Sequence, residues 1–581
     1  MYIERVPNRN SPPAVLLRES WRENGKTKKR TVANLSSLAD ETVEAVRGAL
    51  KGDVVPAAMA IAEPRKRLEI TNVRMHGHVA AIVAMIKRSG LLQTIDRKPS
   101  RRRDIVVAMI ADRLLHGDSK LATARHCQKE TAATTLGELL SLEDLDEHEC
   151  YRAMDWLLER QESIQKKLAR KHLEDGDPVL FDLSSSYFEG HTCPLAKHGY
   201  SRDKRGDLPQ VNYGVYCNTQ GVPIGVEALP GNENDRVAFP KAVARVRNDF
   251  GCKNVIFVGD RGMIGGKAID DYLRGEEGVQ WITALNSASI AKLQRQGAIQ
   301  LSLFDERDLA SITHPDYPDE RLVVCRNPLL ADERQRKREA LLAATEKLLA
   351  KVKAKVDRKR KPLRGKSEIG VEVGKVVNGK KVAKHFRIEI DDDRFEYFRD
   401  QEKIDVETSL DGLYTIRSNV DAGEMSDEQV VAHYKNLASV ERAFRSLKSI
   451  DLRVRPINHR LADRVRSHIF ICMLAYYIEH QLRQALAGPM FVDEEKTPSE
   501  MRDSIVSPAR RSESAKHKDA TRRNDAGFRL SSFRDILESL SAITRSTVNI
   551  HRHPNGRFTA TSRPTPHQQE IIRQLRIERH L

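Results

Sequence analysis

Hydrophobic and polar positions alternate with a period near two through VLLRESWRE and KKRTVANL. The two stretches flank Asn24-Gly25, the dipeptide that most strongly signals a two-residue hairpin. From Val79 to about Leu173 the period lengthens. VAAIVAMIKRSGLL, RRRDIVVAMIADRLL and YRAMDWLLERQESIQKKL repeat apolar residues every three to four positions, which predicts helices. At Asp177 the texture changes again: PVLFDLSSSYF, LPQVNYGVYCN and VPIGVEALP read as three strands. A helix over VAFPKAVARVRNDF follows, then the strand NVIFVGD, the Gly-rich turn RGMIGG, a helix AIDDYLR and the strand QWITAL. That order predicts a mixed sheet with helices on its faces, as in a ribonuclease-H-like core.

Between about Asn286 and Asp411 the pattern breaks. Ala331 to Gly365 reads as one long charged helix with 13 basic and 5 acidic residues, either a solvated arm or a surface that tracks DNA. The pieces GVEVGKVV, KVAKHFRIEI and DGLYTIRS look strand-like, so the region reads as a β-rich insertion. After Met425 helix returns in SDEQVVAHYKNLASVERAFRSLKS and DRVRSHIFICMLAYYIEHQLRQAL, and Asp493 to Ala526 is charged, Ser-rich and expected to be partly flexible. The resulting division is 1–60 (hairpin), 61–176 (helical, for DNA binding or dimerisation), 177–285 and 412–485 (the two parts of the core), 286–411 (insertion) and 486–581 (helical or flexible tail). The expected class is α/β: a ribonuclease-H-like core interrupted by a β-rich insertion, with helical N-terminal and C-terminal regions.

Charge sharpens this picture. The 98 basic and 82 acidic residues of the 581 leave +16, a field that favours a polyanionic partner such as nucleic acid. Arg101, Arg102 and Arg103 open one of the N-terminal helices, as a DNA-facing turn or an ordinary solvated one. The seven cysteines (127, 150, 193, 217, 252, 325, 472) form no Cys-x-x-Cys pair, which argues against a disulfide framework or a ribbon-type zinc site. Ile469 to Ile478 is far shorter than the roughly 20 apolar residues of a membrane span. Met1 to Pro13 carries no apolar signal core. A cytoplasmic chain with no membrane association is the expectation.

The candidate chemistry lies in carboxylates set among apolar residues. Asp182 interrupts the strand VLFDLSSS, and Asp260 ends VIFVGD just before the Gly-rich turn that begins Arg261-Gly262. A carboxylate inside an apolar strand costs several kcal/mol unless something cationic compensates. Two such acids on neighbouring strands would repel, and a divalent metal resolves that repulsion. On a helix at 100° per residue, Tyr434, Glu441, Arg445 and Lys448 fall in one sector of roughly 60°, beside an apolar stripe of Leu437, Val440, Phe444 and Leu447. The alternative for that helix alone is an amphipathic surface helix with Glu-Arg and Glu-Lys pairing.

FDLSSSYFEG, VGDRGM and YKNLASVERAFRSLKS, in that order, resemble the three acidic motifs of DDE transposases from bacterial insertion sequences. The third is similar to the branch reading Tyr-x-x-Arg-x-x-x-Glu-x6-Lys: Tyr434, Glu441 and Lys448 match, while Leu437 stands at the Arg position. The resemblance covers roughly Asp177 to Gln484. It implies that Asp182, Asp260 and Glu441 are catalytic metal ligands, holding Mg²⁺ or Mn²⁺, as two ions. It implies DNA contacts from Tyr434, Arg442, Arg445, Lys448 and Arg261, with Arg442 or Arg445 taking over from the absent Arg. The expected partners are the element's terminal inverted repeats and target DNA, with a homodimer formed on them. The separation of 181 positions from Asp260 to Glu441 is too long for a plain ribonuclease-H fold and matches the family's insertion before the glutamate helix.

Other readings are weaker. A haloacid-dehalogenase-like nucleophile at Asp182 would need a second Asp where Ser184 stands. His191, Cys193 and His198 form a loose His-x-Cys-x4-His cluster that lacks a fourth zinc ligand. Asn232, Glu233 and Asp235 read as turn residues near the pocket, and Trp281 as core. The rival functions are a non-catalytic DNA-binding derivative and a ribonuclease-H-like nuclease that cuts without joining.

Overall fold

A computed structural model describes residues 1–581 except 9–11, 24, 52–67, 191, 301–307, 451, 458, 492–512 and 551–556. Contacts group the chain into two compact units, Met1–Arg74 with Thr544–Arg563, and Met75–Ile543 with Pro564–Leu581. In the first, β1 (Tyr2–Val6), β2 (Ala14–Glu23) and β3 (Lys26–Asn34) form an antiparallel sheet. Glu23 pairs with Lys26 across the expected two-residue turn, where Gly25 sits at φ 75°. Asn24 itself lies outside the described residues. β4 (Leu68–Met75) belongs to a second small sheet.

The second unit is built on β5 (Pro178–Tyr187), β6 (Gln210–Cys217), β7 (Pro223–Pro230), β8 (Val255–Val258), β9 (Val279–Ala284), β10 (Leu309–Ile312) and β11 (Arg321–Arg326). After the hairpin β12 (Phe386–Ile390) and β13 (Phe395–Arg399), β14 (Leu413–Ser418) completes an eight-stranded mixed sheet in the order β10-β11-β14-β9-β8-β5-β6-β7. β8 runs parallel to β5 and to β9, and the other pairs are antiparallel. The last strands, β15 (Thr544–Ile550) and β16 (Arg557–Thr561), join β4 in the first unit. Strands in this segment were not expected from the sequence, which reads 486–581 as helical or flexible.

Two cores cover the two faces of the large sheet. On one, helices Asp235–Asn248 and Gly266–Tyr272 pack over Phe181, Phe257 and Trp281. On the other lies helix Ala462–Ala485, buried along most of its length, together with the N-terminal helices Gly77–Arg88, Arg101–Leu115 and Glu147–Leu158. The helical segment is therefore not a separate lobe: its apolar stripes share one core with the sheet. Among the described residues no helix is long and apolar enough to cross a membrane.

The insertion differs from the expectation of a β-rich module. β10, β11 and β14 extend the main sheet, and what remains among the described residues is helix Ser287–Arg295, helix Pro328–Asp357, helix Lys366–Lys380, the 3-10 turn Ala383–His385, the hairpin β12–β13 and helix Gln401–Thr408. GVEVGKVV is helical despite its valines, because Ile369, Val373 and Val377 recur every four residues and are the ones buried. The long basic helix is not a free arm: Leu342, Leu349, Val352 and Val356 pack into the insertion's own core. The charged tail expected to be flexible falls mostly outside the described residues.

Candidate active site

Alternation along the strands decides which residues can meet. On β5, Val179, Phe181 and Leu183 enter the core beneath helix Asp235–Asn248, while Leu180 faces the opposite core. Asp182 has the parity of Leu180 and projects to that second face. On β8, Val255 and Phe257 point the first way, Ile256 and Val258 the second. β5 and β8 pair in parallel with Leu180 against Val258, so two further residues on each chain set Asp182 opposite Asp260. Helix Leu437–Arg445 buries Val440, Ala443 and Phe444 in that same second core, and Phe444 meets Tyr213 of β6 edge-on at 5.9 Å. The Glu441 helix is thus pinned to the face on which both aspartates emerge.

Each acid is held differently. Asp182 is half-buried among the buried residues of β5, and its Oδ1 accepts from the Leu183 amide at 2.7 Å. Burial pushes its carboxyl up to about 7, the Leu183 amide opposes this, and the charge of Asp260 adds to the rise. Asp260 is exposed at the strand's end, where its Oδ1 accepts from the amides of Gly262 at 3.0 Å and Met263 at 2.9 Å. A Cβ at position 262 would lie 3.3 Å from that oxygen, which favours glycine in this turn. Glu441 is exposed on its helix. The phenol of Tyr434 is raised by burial, with Asp260 and Glu441 adding and Arg261 opposing. One side chain therefore feels Asp260, Glu441 and Arg261 together.

A network of ion pairs adjoins Asp182. Arg202 pairs with Asp235 at 2.9 Å, and both charges reach Asp182. Behind them Asp203, 3% exposed, pairs with Lys448 at 3.1 Å and with Arg455. Burial lowers the Lys448 ammonium while Asp203 works to raise it.

The model of the family described as Transposase DDE domain matches residues 176–478, a little over half of the chain. The chain belongs to the DDE transposase family. A second family model, the N-terminal domain of IS1634 family transposases, matches residues 3–55, so the membership is that of an insertion-sequence transposase. No curated relative matches the chain. A cryo-EM structure of a piggyBac transposase synaptic complex with hairpin DNA aligns with a TM-score of 0.31 at 8% identity, over 70% of this chain and 73% of that one. Nothing about this transposase follows from a likeness that slight.

The helix expected to carry Tyr434, Glu441, Arg445 and Lys448 in one sector is not continuous. It runs Asp427–Lys435, breaks at Asn436, resumes over Leu437–Arg445 and continues as a π-helix over Ser446–Ile450. Wider winding turns Lys448 away from the sector that an α-helix would give it, into the pair with Asp203. Arg442 and Arg445 are exposed, and Arg442 lies within electrostatic reach of Tyr476 and His480. Leu437 packs against the core, so the position of the signature Arg is filled by an apolar contact. Arg261 is exposed beside Asp260. Of the looser candidates, Glu233 pairs with Lys241 at 2.8 Å, Asn232 is exposed and Trp281 is core. Cys193 is buried and His198 exposed, while His191 lies outside the described residues. Sequence reading passed over Arg202 and Asp203, which sit in an irregular loop with no period to mark them, and gave Arg455 no role.

Proposed function

We propose that this transposase cuts DNA at the terminal inverted repeats of its own element and joins the ends to target DNA, with Asp182, Asp260 and Glu441 as the ligands of two divalent cations, Mg²⁺ or Mn²⁺. The observation that carries the reading is the shared face of the eight-stranded mixed sheet: strand parity, the β5–β8 register and the Phe444 anchor all favour convergence of the three carboxylates. The donor set fits such ions, since oxygen-only ligands suit hard cations. Asp182 at about 7, beside Asp260, is a carboxyl whose ionisation a nearby cation would favour. When bound, two such ions stabilise the phosphoryl group and activate the attacking oxygen.

The chain's own residues then divide the work. Asp182 offers its oxygens from a rigid central strand, and Asp260 is held in one orientation by two backbone amides. Tyr434 lies within reach of Asp260, Glu441 and Arg261, where a scissile phosphate would rest. Arg445 and Arg442 present exposed guanidinium groups on the glutamate helix and take the place of the missing signature Arg. Lys448 acts as a positioning residue through Asp203, bracing the loop that carries Arg202. Two element ends have to be brought together, so the working form is a homodimer on DNA.

The test is cleavage of DNA bearing the element's ends, with Mg²⁺ or Mn²⁺, by wild type and by Glu441→Gln. Metal-dependent cutting and joining that falls at least about a hundredfold in the variant is the expected result. Cutting without joining would favour a nuclease, and binding without cutting in both proteins a non-catalytic derivative.

A further inference from the structure

Helix Arg101–Leu115 ends in a cluster that the catalytic reading does not use. Asp112, 1% exposed, holds both Nδ1 of His116 (2.7 Å) and Nδ1 of His126 (2.8 Å) against one oxygen, Oδ1. Its other oxygen accepts from Thr123 Oγ1 at 2.6 Å. Asp112 and His116 stand four residues apart on one helical face, and His126 comes from the next helix, Lys120–Cys127. The two imidazoles lie 4.1 Å apart between centroids, and each ring keeps about a quarter of its surface exposed. Among the described residues this is the group of His, Cys, Asp and Glu side chains whose donor atoms converge, all within 4.8 Å of one another.

We propose that Asp112, His116 and His126 form a binding site for a divalent transition metal of the Zn²⁺ class, with solvent at the fourth position. Two imidazole nitrogens and one carboxylate oxygen suit a borderline ion, whereas the oxygen-only triad suits hard ones. The metal preference thus separates the two sites. Thr123 supplies the outer hydrogen bond that orients a ligating carboxylate. Both Nδ1 atoms now bond Asp112, so an ion bound there requires the Nδ1 protons to leave or to move to Nε2. Ligands around a tetrahedral Zn²⁺ at ~2.0–2.1 Å stand roughly 3.3 Å apart, so each ring would back away by about half an ångström, toward its exposed side.

The site's place in the fold gives the metal a structural role. Arg113, next along the helix, donates to the carbonyls of Gly117 at 2.6 Å and Asp118 at 2.9 Å, and Arg453 reaches the His116 carbonyl at 3.5 Å. A metal here would clamp two N-terminal helices beneath the segment that leads to Arg455 and Asp203.

The experiment uses full-length, metal-stripped protein in excess Mg²⁺, which occupies hard-ion sites. CoCl₂ is titrated while visible absorption is read, and ZnCl₂ then displaces it. Wild type should bind one Co²⁺ with a nitrogen-ligated low-coordinate spectrum, lose it to Zn²⁺, and melt higher with Zn²⁺ present. His126→Gln and His116→Gln, each shown folded by circular dichroism, should weaken binding at least about tenfold, while Asp182→Ala keeps it. No binding by wild type, or undiminished binding by both histidine variants, overturns the proposal and leaves a hydrogen-bonded anchor only. Loss of the spectrum in Asp182→Ala alone would place the ion at the carboxylate triad and overturn it equally.

Discussion

At the scale of single residues, Asp182 carries a carboxyl that the fold takes out of water. Its carboxyl rises from 3.8 to about 7 because strand and helices take it out of water, and Asp260 adds repulsion. The folded state therefore binds this proton more tightly than the unfolded chain, and stability falls as pH rises from about 4 to about 7. About three pKa units set an upper bound near 4 kcal/mol. Asp182→Asn should accordingly melt above wild type at pH 8 in EDTA and close to it near pH 4, as followed by calorimetry at both pH values. An equal gain at both would mean that ionisation is not the cause. Lys448 shows the same economy with the opposite sign of charge, since Asp203 compensates an ammonium that burial disfavours.

At the scale of elements, the glutamate helix matters more than its length suggests. Nine residues, bounded by Asn436 and a π-helix, carry Glu441 on one side and bury Val440, Ala443 and Phe444 on the other. Phe444 against Tyr213 is the contact that ties this helix to β6. Phe444→Ala should cost about 3–5 kcal/mol of stability. On the proposed triad, the variant below its melting temperature should also cut DNA more slowly, because Glu441 loses its anchor. Unfolding curves and single-turnover cleavage check the two halves, and full cleavage by a destabilised protein would show that the anchor does not position the acid. A π-turn next to this helix is itself a departure from sequence expectation: no apolar period marks where winding will loosen.

At the scale of the whole molecule, the net charge of +16 and the division into two units lead to separate expectations. DNA affinity should fall steeply with salt, by about 10³ between 50 and 200 mM if some six phosphates are contacted, and a flat dependence in filter binding would contradict a phosphate-dominated interface. The first unit joins the two ends of the chain, because β4 and the late strands β15 and β16 share one sheet. Val548 on β15 is buried, so Val548→Asp should remove about 2–4 kcal/mol from that unit. Hydrogen exchange read by mass spectrometry should show faster exchange in residues 2–34 and 68–74 with the large sheet unchanged. Equal loss across both units would mean that they fold as one.

The order of strands and helices from Pro178 to Ala284 follows from local pattern alone. Alternation and the three-to-four period record which side of each element is buried, and Asp182, Asp260 and Glu441 stand out as acids against that pattern. Partners distant in sequence are another matter. GVEVGKVV reads as strand by residue type and is helix by which positions are buried; β10 and β11 leave the insertion for the main sheet; β15 crosses the length of the chain to reach β4. Loop residues such as Arg202, Asp203 and Arg455 carry no period, so their meeting around Lys448 is invisible until the chain is folded. The sequence determined what each segment buries, because burial is written in local periodicity. Tertiary structure decided what each buried or charged group meets, because pairing across tens or hundreds of residues is settled by packing.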